Sequence, residues 1–233
     1  MENGGCLMKK LFTKMRKKII NLVLFGIAMG YLEAAVVYYL REIYCPSGFF
    51  FPLSMPSVKI YLVELGRELS TIIMLITMSY LIGKGVEIVA CFCILFGLWD
   101  IFYYVFLYVF LKWPSSLFTW DILFSIPVSW ASPVICPVLV SILMIIFGVM
   151  ILIIKDKKEK IIILNREKIL FILSLFFIFI SFTIDAFINP KIYLSVKPEN
   201  FHWGLFYTGV ILFMVVLYNI YKENRTKNNI PSP

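Results

Sequence analysis

Charged side chains that share one helical face give the clearest chemical pattern in this chain. Glu64, Arg67 and Glu68 are spaced to lie on one side of a helix, where Arg67 can pair with Glu64 and leave Glu68 freer. Two glutamates four residues apart can place their carboxylates on one cation, as they do in helical metal sites. A salt-bridged helix end at the membrane interface is an alternative of equal weight.

Two further carboxylates fall within strongly apolar sequence, where an ionised group is costly. Asp100 lies near the middle of one such stretch, and Tyr104, four residues later, could donate a hydrogen bond to it. An aspartate at the bilayer centre costs about 2.5–3.5 kcal/mol on insertion scales, which favours a functional role or an obligatory pairing. Glu33 shares a face with Gly26 and Gly30, a small-residue stripe that lets a second helix approach closely. The structural alternative is a hydrogen bond between Glu33 and a tyrosine or arginine of another helix.

Three more candidates lie near the ends of apolar stretches. Asp121 follows Trp120, and its alternative role is that of a helix N-cap or turn residue. Asp185 could equally belong to a polar cluster at a helix end. His202, the only histidine, is in such a position more often a headgroup-level residue than a ligand. The complete candidate polar site is Glu33, Glu64, Arg67, Glu68, Asp100, Tyr104, Asp121, Asp185 and His202.

An oxygen-rich set of side chains suits a divalent metal such as magnesium, manganese or calcium, or non-haem iron, better than a thiolate-bound metal. The candidate ligands are Glu64, Glu68, Asp100 and His202. A single histidine is too few for a typical two-haem cytochrome, and no Cys-x-x-Cys, Walker A or Gly-x-Ser-x-Gly motif occurs. The sequence therefore leaves the cofactor open, with a divalent metal as the candidate and no haem or nucleotide motif.

The elements that must position these side chains are membrane-spanning helices. The chain has 233 residues, of which 61% are hydrophobic and 15% are charged, against about 45–50% and about 25% in a soluble domain. Apolar runs recur along the whole length, which excludes a soluble enzyme, a disordered chain and a disulfide-stapled secreted scaffold. A bilayer-spanning helix needs about 20 mostly apolar residues. The pattern predicts an all-α polytopic membrane protein with helices at about 19–40, 60–83, 86–112, 132–154, 168–188 and 203–221.

Basic residues predict the orientation of these helices. With the N-terminus in the cytoplasm, sixteen of the 22 lysines and arginines fall in cytoplasmic segments, a clear positive-inside bias. We expect a multi-pass protein of the cell (cytoplasmic) membrane with both termini cytoplasmic, built from a basic N-terminus at 1–18, a six-helix domain at 19–221 and a polar tail at 222–233. The basic segments would contact anionic lipid headgroups. Nucleic-acid binding is disfavoured because these residues flank apolar runs without interleaved aromatics.

The segment between the third and fourth predicted helices combines tryptophans with prolines. Residues 113–137 are too apolar for a solvated loop and too rich in proline for a spanning helix. They predict a re-entrant or interfacial segment with a short helix near 118–126, capped by Thr119. Cys45 and Cys136 fall on the same predicted side, so a disulfide between them is open, although free thiols are favoured.

Several motifs together resemble those of a family. They are Tyr31-Leu32-Glu33-Ala34-Ala35-Val36-Val37-Tyr38-Tyr39-Leu40-Arg41, Glu64-Leu65-Gly66-Arg67-Glu68, Trp99-Asp100 with Tyr103-Tyr104, Trp113-Pro114, Thr119-Trp120-Asp121-Ile122-Leu123-Phe124 and His202-Trp203. In these stretches the chain is similar to uncharacterised prokaryotic multi-pass membrane proteins. The resemblance covers most of the first three helices and the segment after them. It implies a dedicated polar site that uses these residues, and it supplies no substrate.

Three functions follow from this inventory. The leading hypothesis is an outward-facing, carboxylate-rich site that binds a cation or polar small molecule in a transporter-like or binding protein, with Asp100 and Glu33 deep and Glu68 at the entrance. The second is an integral membrane enzyme that acts on a lipid or other amphiphile at the outer face through Glu68, Asp121 and His202, with or without a metal. The third is a structural membrane subunit whose polar residues only pair helices. The sequence leaves the oligomeric state open.

Overall fold

Six α-helices and one two-stranded hairpin make up the part of the chain that the computed structural model describes. The described residues are 2–44, 57–126, 128–157, 160–188 and 200–226, with side chains described from residue 15 onward. The elements are α1 (Glu2–Tyr44), α2 (Val58–Ile82), α3 (Val86–Leu111), β1 (Trp120–Phe124), β2 (Trp130–Pro133), α4 (Ile135–Lys157), α5 (Asn165–Ile188) and α6 (Trp203–Thr226). Each helix contains a stretch long and apolar enough to cross a membrane. This confirms the predicted six-helix class, and the chain is a multi-pass membrane protein.

The first and last helices of the chain extend past the bounds that the apolar pattern predicts. Helix α1 begins at Glu2 rather than near residue 19, and α6 continues to Thr226 rather than ending near residue 221. Lysine, arginine and glutamate are good helix formers, so the backbone stays helical after the apolar stripe has ended. Helix α4 begins three residues later than predicted because strand β2 occupies 130–133.

Helix α3 is the centre of the bundle. It packs against α1, α2 and α4, while α6 packs against α5 and α4. Half of its most apolar stretch is buried inside the protein, a larger share than in any other described helix. Many apolar side chains on the outside of the bundle are exposed, among them Leu62 and Leu81, as expected for a surface that faces lipid hydrocarbon.

Two glycines let neighbouring helices come close to α3. A Cβ atom at Gly30 of α1 would lie 2.8 Å from the Cβ of Phe102 and 2.9 Å from the carbonyl oxygen of Trp99. This close approach confirms the prediction from the small-residue stripe. On the other side of the helix, a Cβ atom at Gly97 would lie 2.5 Å from the carbonyl oxygen of Ser141 in α4. The absence of a side chain at Gly97 therefore brings Ser141 against α3, one turn from Asp100.

Strands β1 and β2 form a β-hairpin where a short helix was expected near 118–126, so that prediction is wrong. Strands β1 and β2 are antiparallel, with Trp120 opposite Pro133 and Asp121 opposite Ser132. Strand β1 consists mainly of aromatic and branched apolar residues, which favour extended backbone. The hydroxyl of Thr119 does not cap a helix; it accepts a hydrogen bond of 3.1 Å from the backbone N–H of Ser116 and closes a turn.

The two ends of the bundle differ in character. At the hairpin end, defined here by the β-hairpin, the start of α2 approaches β1: the Tyr61 hydroxyl donates to the Ser125 carbonyl at 3.5 Å. At the opposite end, which we call the basic end, Lys18 of α1 pairs with Glu87 of α3 at 2.5 Å. Cys136 is a free, buried thiol at the start of α4, and Cys45 lies outside the described residues.

Candidate functional site

A cavity of about 600 Å³ opens between the helices at the hairpin end. Its walls come from α1, α2, α3, α4 and α5, from strand β1 with the loop after it, and from the start of strand β2. Seven of the nine residues predicted for the polar site line it: Glu33, Glu64, Arg67, Glu68, Asp100, Tyr104 and Asp121. Side chains from four separate elements are thus brought together in one cavity.

Arg67 of α2 joins two of the carboxylates. Its Nε atom donates to Glu64 Oε2 at 2.8 Å, which confirms the pairing predicted from their spacing. The same guanidinium forms an ion pair with Glu33 of α1. The Thr71 hydroxyl, one turn further along α2, donates to the second carboxylate oxygen of Glu33 at 3.2 Å. Glu33 is thus held by two residues of α2, so the predicted alternative of an interhelical bond to an arginine is confirmed.

A second arginine, Arg41 near the end of α1, holds the hairpin. Its Nη2 atom lies 3.5 Å from Asp121 Oδ1, and its guanidinium carbon lies 3.7 Å from the centre of the Trp113 ring. The Tyr104 hydroxyl donates to Asp121 Oδ2 at 3.1 Å. Arg41 is not among the nine residues predicted for the polar site, although it ends the first motif of the family resemblance. The available signal was an arginine two turns after Glu33 at the end of the same apolar stretch.

Asp121 lies within strand β1, so its predicted alternative as a helix N-cap or turn residue is wrong. Its carboxyl is 2% exposed. Burial raises the pKa of Asp121 from 3.8 to about 6, although the Arg41 charge and the Tyr104 hydrogen bond act to lower it. The ionised form is therefore less favourable here than in water, even with an arginine beside it.

Asp100 has a different partner from the one predicted. Its Oδ2 atom accepts a hydrogen bond of 2.8 Å from the Ser141 hydroxyl of α4, and the Tyr104 hydroxyl reaches Asp121 instead. The hydroxyl of Tyr104 is at the end of a long side chain. It therefore reaches the hairpin rather than the shorter side chain of Asp100, one turn earlier on the same helix. The predicted hydrogen bond from Tyr104 to Asp100 is therefore wrong.

Two cavity carboxylates have no ion pair with any basic side chain in the described parts of the chain. They are Glu68, whose Oε2 atom accepts from the Ser125 backbone N–H at 2.9 Å, and Asp100, which is held by Ser141. Five carboxylates and two guanidinium groups line the cavity, so its formal charge is −3 when all are ionised. Both arginines are already engaged with other carboxylates. Two of the three excess negative charges therefore fall on Glu68 and Asp100, and the third falls on Glu33 and Glu64, which share the single charge of Arg67.

The rest of the cavity wall is apolar and largely aromatic. It includes Phe92, Phe96, Phe124, Trp130, Met144, Leu175, Phe179 and Phe182. None of these was singled out from the sequence, because an aromatic residue in an apolar run is far more often core or lipid-facing than part of a site. Only the packing of α3, α4, α5 and the hairpin shows which of them share a wall.

Asp185 and His202 lie outside the lining of the cavity. They contact each other, with His202 Nε2 3.0 Å from Asp185 Oδ1, and both side chains are about one-third exposed. The pair joins the end of α5 to the residue before α6. This arrangement corresponds to the helix-end polar cluster that was the alternative for Asp185.

The described residues contain no group of three or more histidine, cysteine, aspartate or glutamate side chains placed to hold a metal ion. The candidate ligands divide between two places: Glu64, Glu68 and Asp100 line the cavity, while His202 contacts Asp185. A metal site with these four ligands is therefore not assembled in this arrangement.

Comparison of the chain with family models, with curated proteins and with solved structures finds no match. The resemblance to a prokaryotic family stays a prediction. The functional conclusions for this multi-pass membrane protein therefore rest on its own geometry.

Proposed function

We propose that this protein is a membrane-embedded, transporter-like binding protein whose cavity takes a molecule with a cationic group. The observation that carries the proposal is the position of Glu68 and Asp100, two cavity carboxylates without an arginine or lysine partner among the described residues. Ionised groups are expensive at membrane depth unless they are paired. A bound cation would supply the missing partner.

The other two hypotheses receive less support. The enzyme hypothesis requires Glu68, Asp121 and His202 to converge, and His202 lies outside the cavity lining. The structural hypothesis requires each carboxylate to be consumed by a helix-pairing contact. That description fits Glu33, which pairs with Arg67 of α2, and Asp100, which accepts from Ser141 of α4. Glu64 pairs only with Arg67 of its own helix. The structural hypothesis does not account for a cavity of about 600 Å³ beside Glu68 and Asp100.

We place the cavity on the outer side of the cytoplasmic membrane. The proposal is supported by the sixteen of 22 basic residues assigned to the cytoplasmic segments. Lys18 and Lys155 lie at the basic end, opposite the hairpin. The cavity reaches the hairpin end, where Tyr44 and Tyr61 belong to its lining.

The test is the binding of radiolabelled tetraphenylphosphonium, an aromatic cation, to the protein in lipid nanodiscs. Glu68→Gln and Asp100→Asn should each weaken binding about tenfold, since a tenfold change corresponds to the loss of about 1.4 kcal/mol of interaction. The matched controls are Glu42→Gln, which removes an exposed charge at the same end, and Asp156→Asn, which removes an exposed charge at the basic end.

The controls should bind the cation as the wild type does. Equal binding by all four variants and the wild type would contradict the proposal, and so would an absence of saturable binding to the wild type. Removing cavity charge is expected to leave binding of dodecyl sulfate, an anion, no weaker than before.

A further inference from the structure

The lining of the cavity changes from charged to apolar along the helix axes. Arg41, Glu64 and Asp121 lie near the hairpin end, and Asp100 lies deeper on α3. Beyond Asp100 the wall consists of apolar side chains only: Phe92, Phe96, Met144 and Leu175. The eight residues from Asp100 back to Phe92 correspond to about 12 Å of helix at 1.5 Å per residue. A ligand filling this space must be polar at one end and apolar over the rest.

The apolar part of the cavity spans the middle of the membrane. Leu175 is the eleventh of the 24 residues of α5. The hydrocarbon core of a bilayer is about 30 Å thick, so the middle of a spanning helix lies near the bilayer midplane. The cavity therefore extends from the hairpin end past the midplane on α3, where Phe92 is the seventh of 26 residues, and its charged lining lies in the half nearer the hairpin.

The side of the cavity between α2 and α5 is not closed by helix packing. In the described ranges α2 packs on α3 and makes no extensive contact with α4 or α5. Lining residues of both helices are exposed, Tyr61 in the first turn of α2 by 37% and Leu175 near the middle of α5 by 44%. A hydrocarbon chain could pass between the two helices directly from the bilayer, without crossing water.

We infer that the occupant is a single-chain cationic amphiphile taken from the adjoining leaflet, which enters sideways between α2 and α5. Its cationic head lies at Glu68 and Asp100, and its chain lies along Phe92, Phe96 and Met144. The inference rests on the proposed function and adds the ligand class and the entry route. A volume of about 600 Å³ is within the range that drug-sized ligands occupy, which suits one chain with its head group.

The probe that tests this is dodecyltrimethylammonium carrying a photoactivatable diazirine at the chain end. After irradiation in nanodiscs, the labelled peptides should map to α3 around Phe92 and to α4 around Met144. Leu175→Trp, which narrows the gap with a larger side chain, should reduce this labelling at least fivefold. The matched control is Leu173→Trp, at a position that is 41% exposed on the same helix and outside the cavity lining.

The outcomes separate this inference from the proposed function. Labelling confined to lipid-facing positions, or an equal effect of both tryptophan variants, would overturn the inference. If Glu68→Gln still weakens binding of tetraphenylphosphonium in that case, the proposed cation binding is retained and only the amphiphile and its entry route are rejected. The alternative result is that a neutral probe with a hydroxyl head gives the same deep labelling, unchanged by Glu68→Gln and Asp100→Asn. That result would contradict recognition of a cationic head group and would support only the binding of the hydrocarbon chain. The melting temperature of each variant in the same nanodiscs verifies that it is folded.

Discussion

Replacing Arg67 with methionine tests how the charged part of the cavity is held together. Arg67 joins α1 to α2 because it pairs with Glu33 of α1 and with Glu64 of its own helix. Its side chain is 21% exposed, and those of Glu33 and Glu64 are 10% and 20% exposed. All three groups are mostly withdrawn from solvent. Methionine preserves length and apolar volume but removes the charge.

The expected loss is about 3 kcal/mol of the free energy of unfolding, the lower end of the range for removing one partner of a buried ion pair. The loss arises because two carboxylates remain without their cation. Glu33→Gln in the Arg67→Met background removes one of them. The double variant should therefore lose about 1–2 kcal/mol less than the sum of the two single losses.

The assay is unfolding in mixed micelles, titrated with sodium dodecyl sulfate and followed by tryptophan fluorescence. The control is Lys59→Met, which removes an exposed positive charge at the start of the same helix. It should change the free energy of unfolding by no more than about 0.5 kcal/mol. Equal losses for Lys59→Met and Arg67→Met, or strictly additive losses in the double variant, would refute the reasoning.

Two further predictions concern the hairpin and the packing of α1. Asp121 has a pKa of about 6 in the folded protein against an ordinary 3.8, so the folded state holds its proton more tightly. As pH rises from about 4 to about 6, this residue should remove about 3 kcal/mol of stability. In unfolding titrations across this pH range, Asp121→Asn should lose less stability than the wild type. The same pH dependence in both proteins would contradict a raised pKa of the Asp121 carboxyl. Gly30→Ala should destabilise by about 2 kcal/mol, because its Cβ would lie 2.8 Å from the Cβ of Phe102. Gly66→Ala, with no atom within 4 Å of its Cβ, should instead stabilise by up to about 1 kcal/mol in the same assay; losses of equal size at both glycines would disprove close packing at Gly30.

The spacing of residues along the sequence was enough to predict a contact within one helix and the position at which a second helix can pack closely. The pairing of Arg67 with Glu64 depends only on positions three residues apart. The close approach at Gly30 follows from the absence of a side chain. Both depend on a short stretch of chain, so a single sequence contains the information they require.

Contacts between distant segments were not predictable in the same way. Tyr104 was expected to contact Asp100, but its hydroxyl reaches Asp121 of the hairpin. The helix expected near 118–126 is a strand, because pairing with β2 supplies the backbone hydrogen bonds that a helix would have formed internally. In each case the partner came from a part of the chain whose position the sequence pattern did not specify.

The sequence by itself determined that this is a six-helix membrane protein with a few costly carboxylates, because hydropathy and helical periodicity act within each segment. The tertiary structure decided which carboxylates meet. Glu33 and Glu64 share Arg67, Asp121 takes Arg41, and Asp185 contacts His202 outside the cavity. Which charge finds which partner depends on how helices rotate and cross when they pack. That geometry is set by all of the side chains at the contacts together, and no single segment contains it.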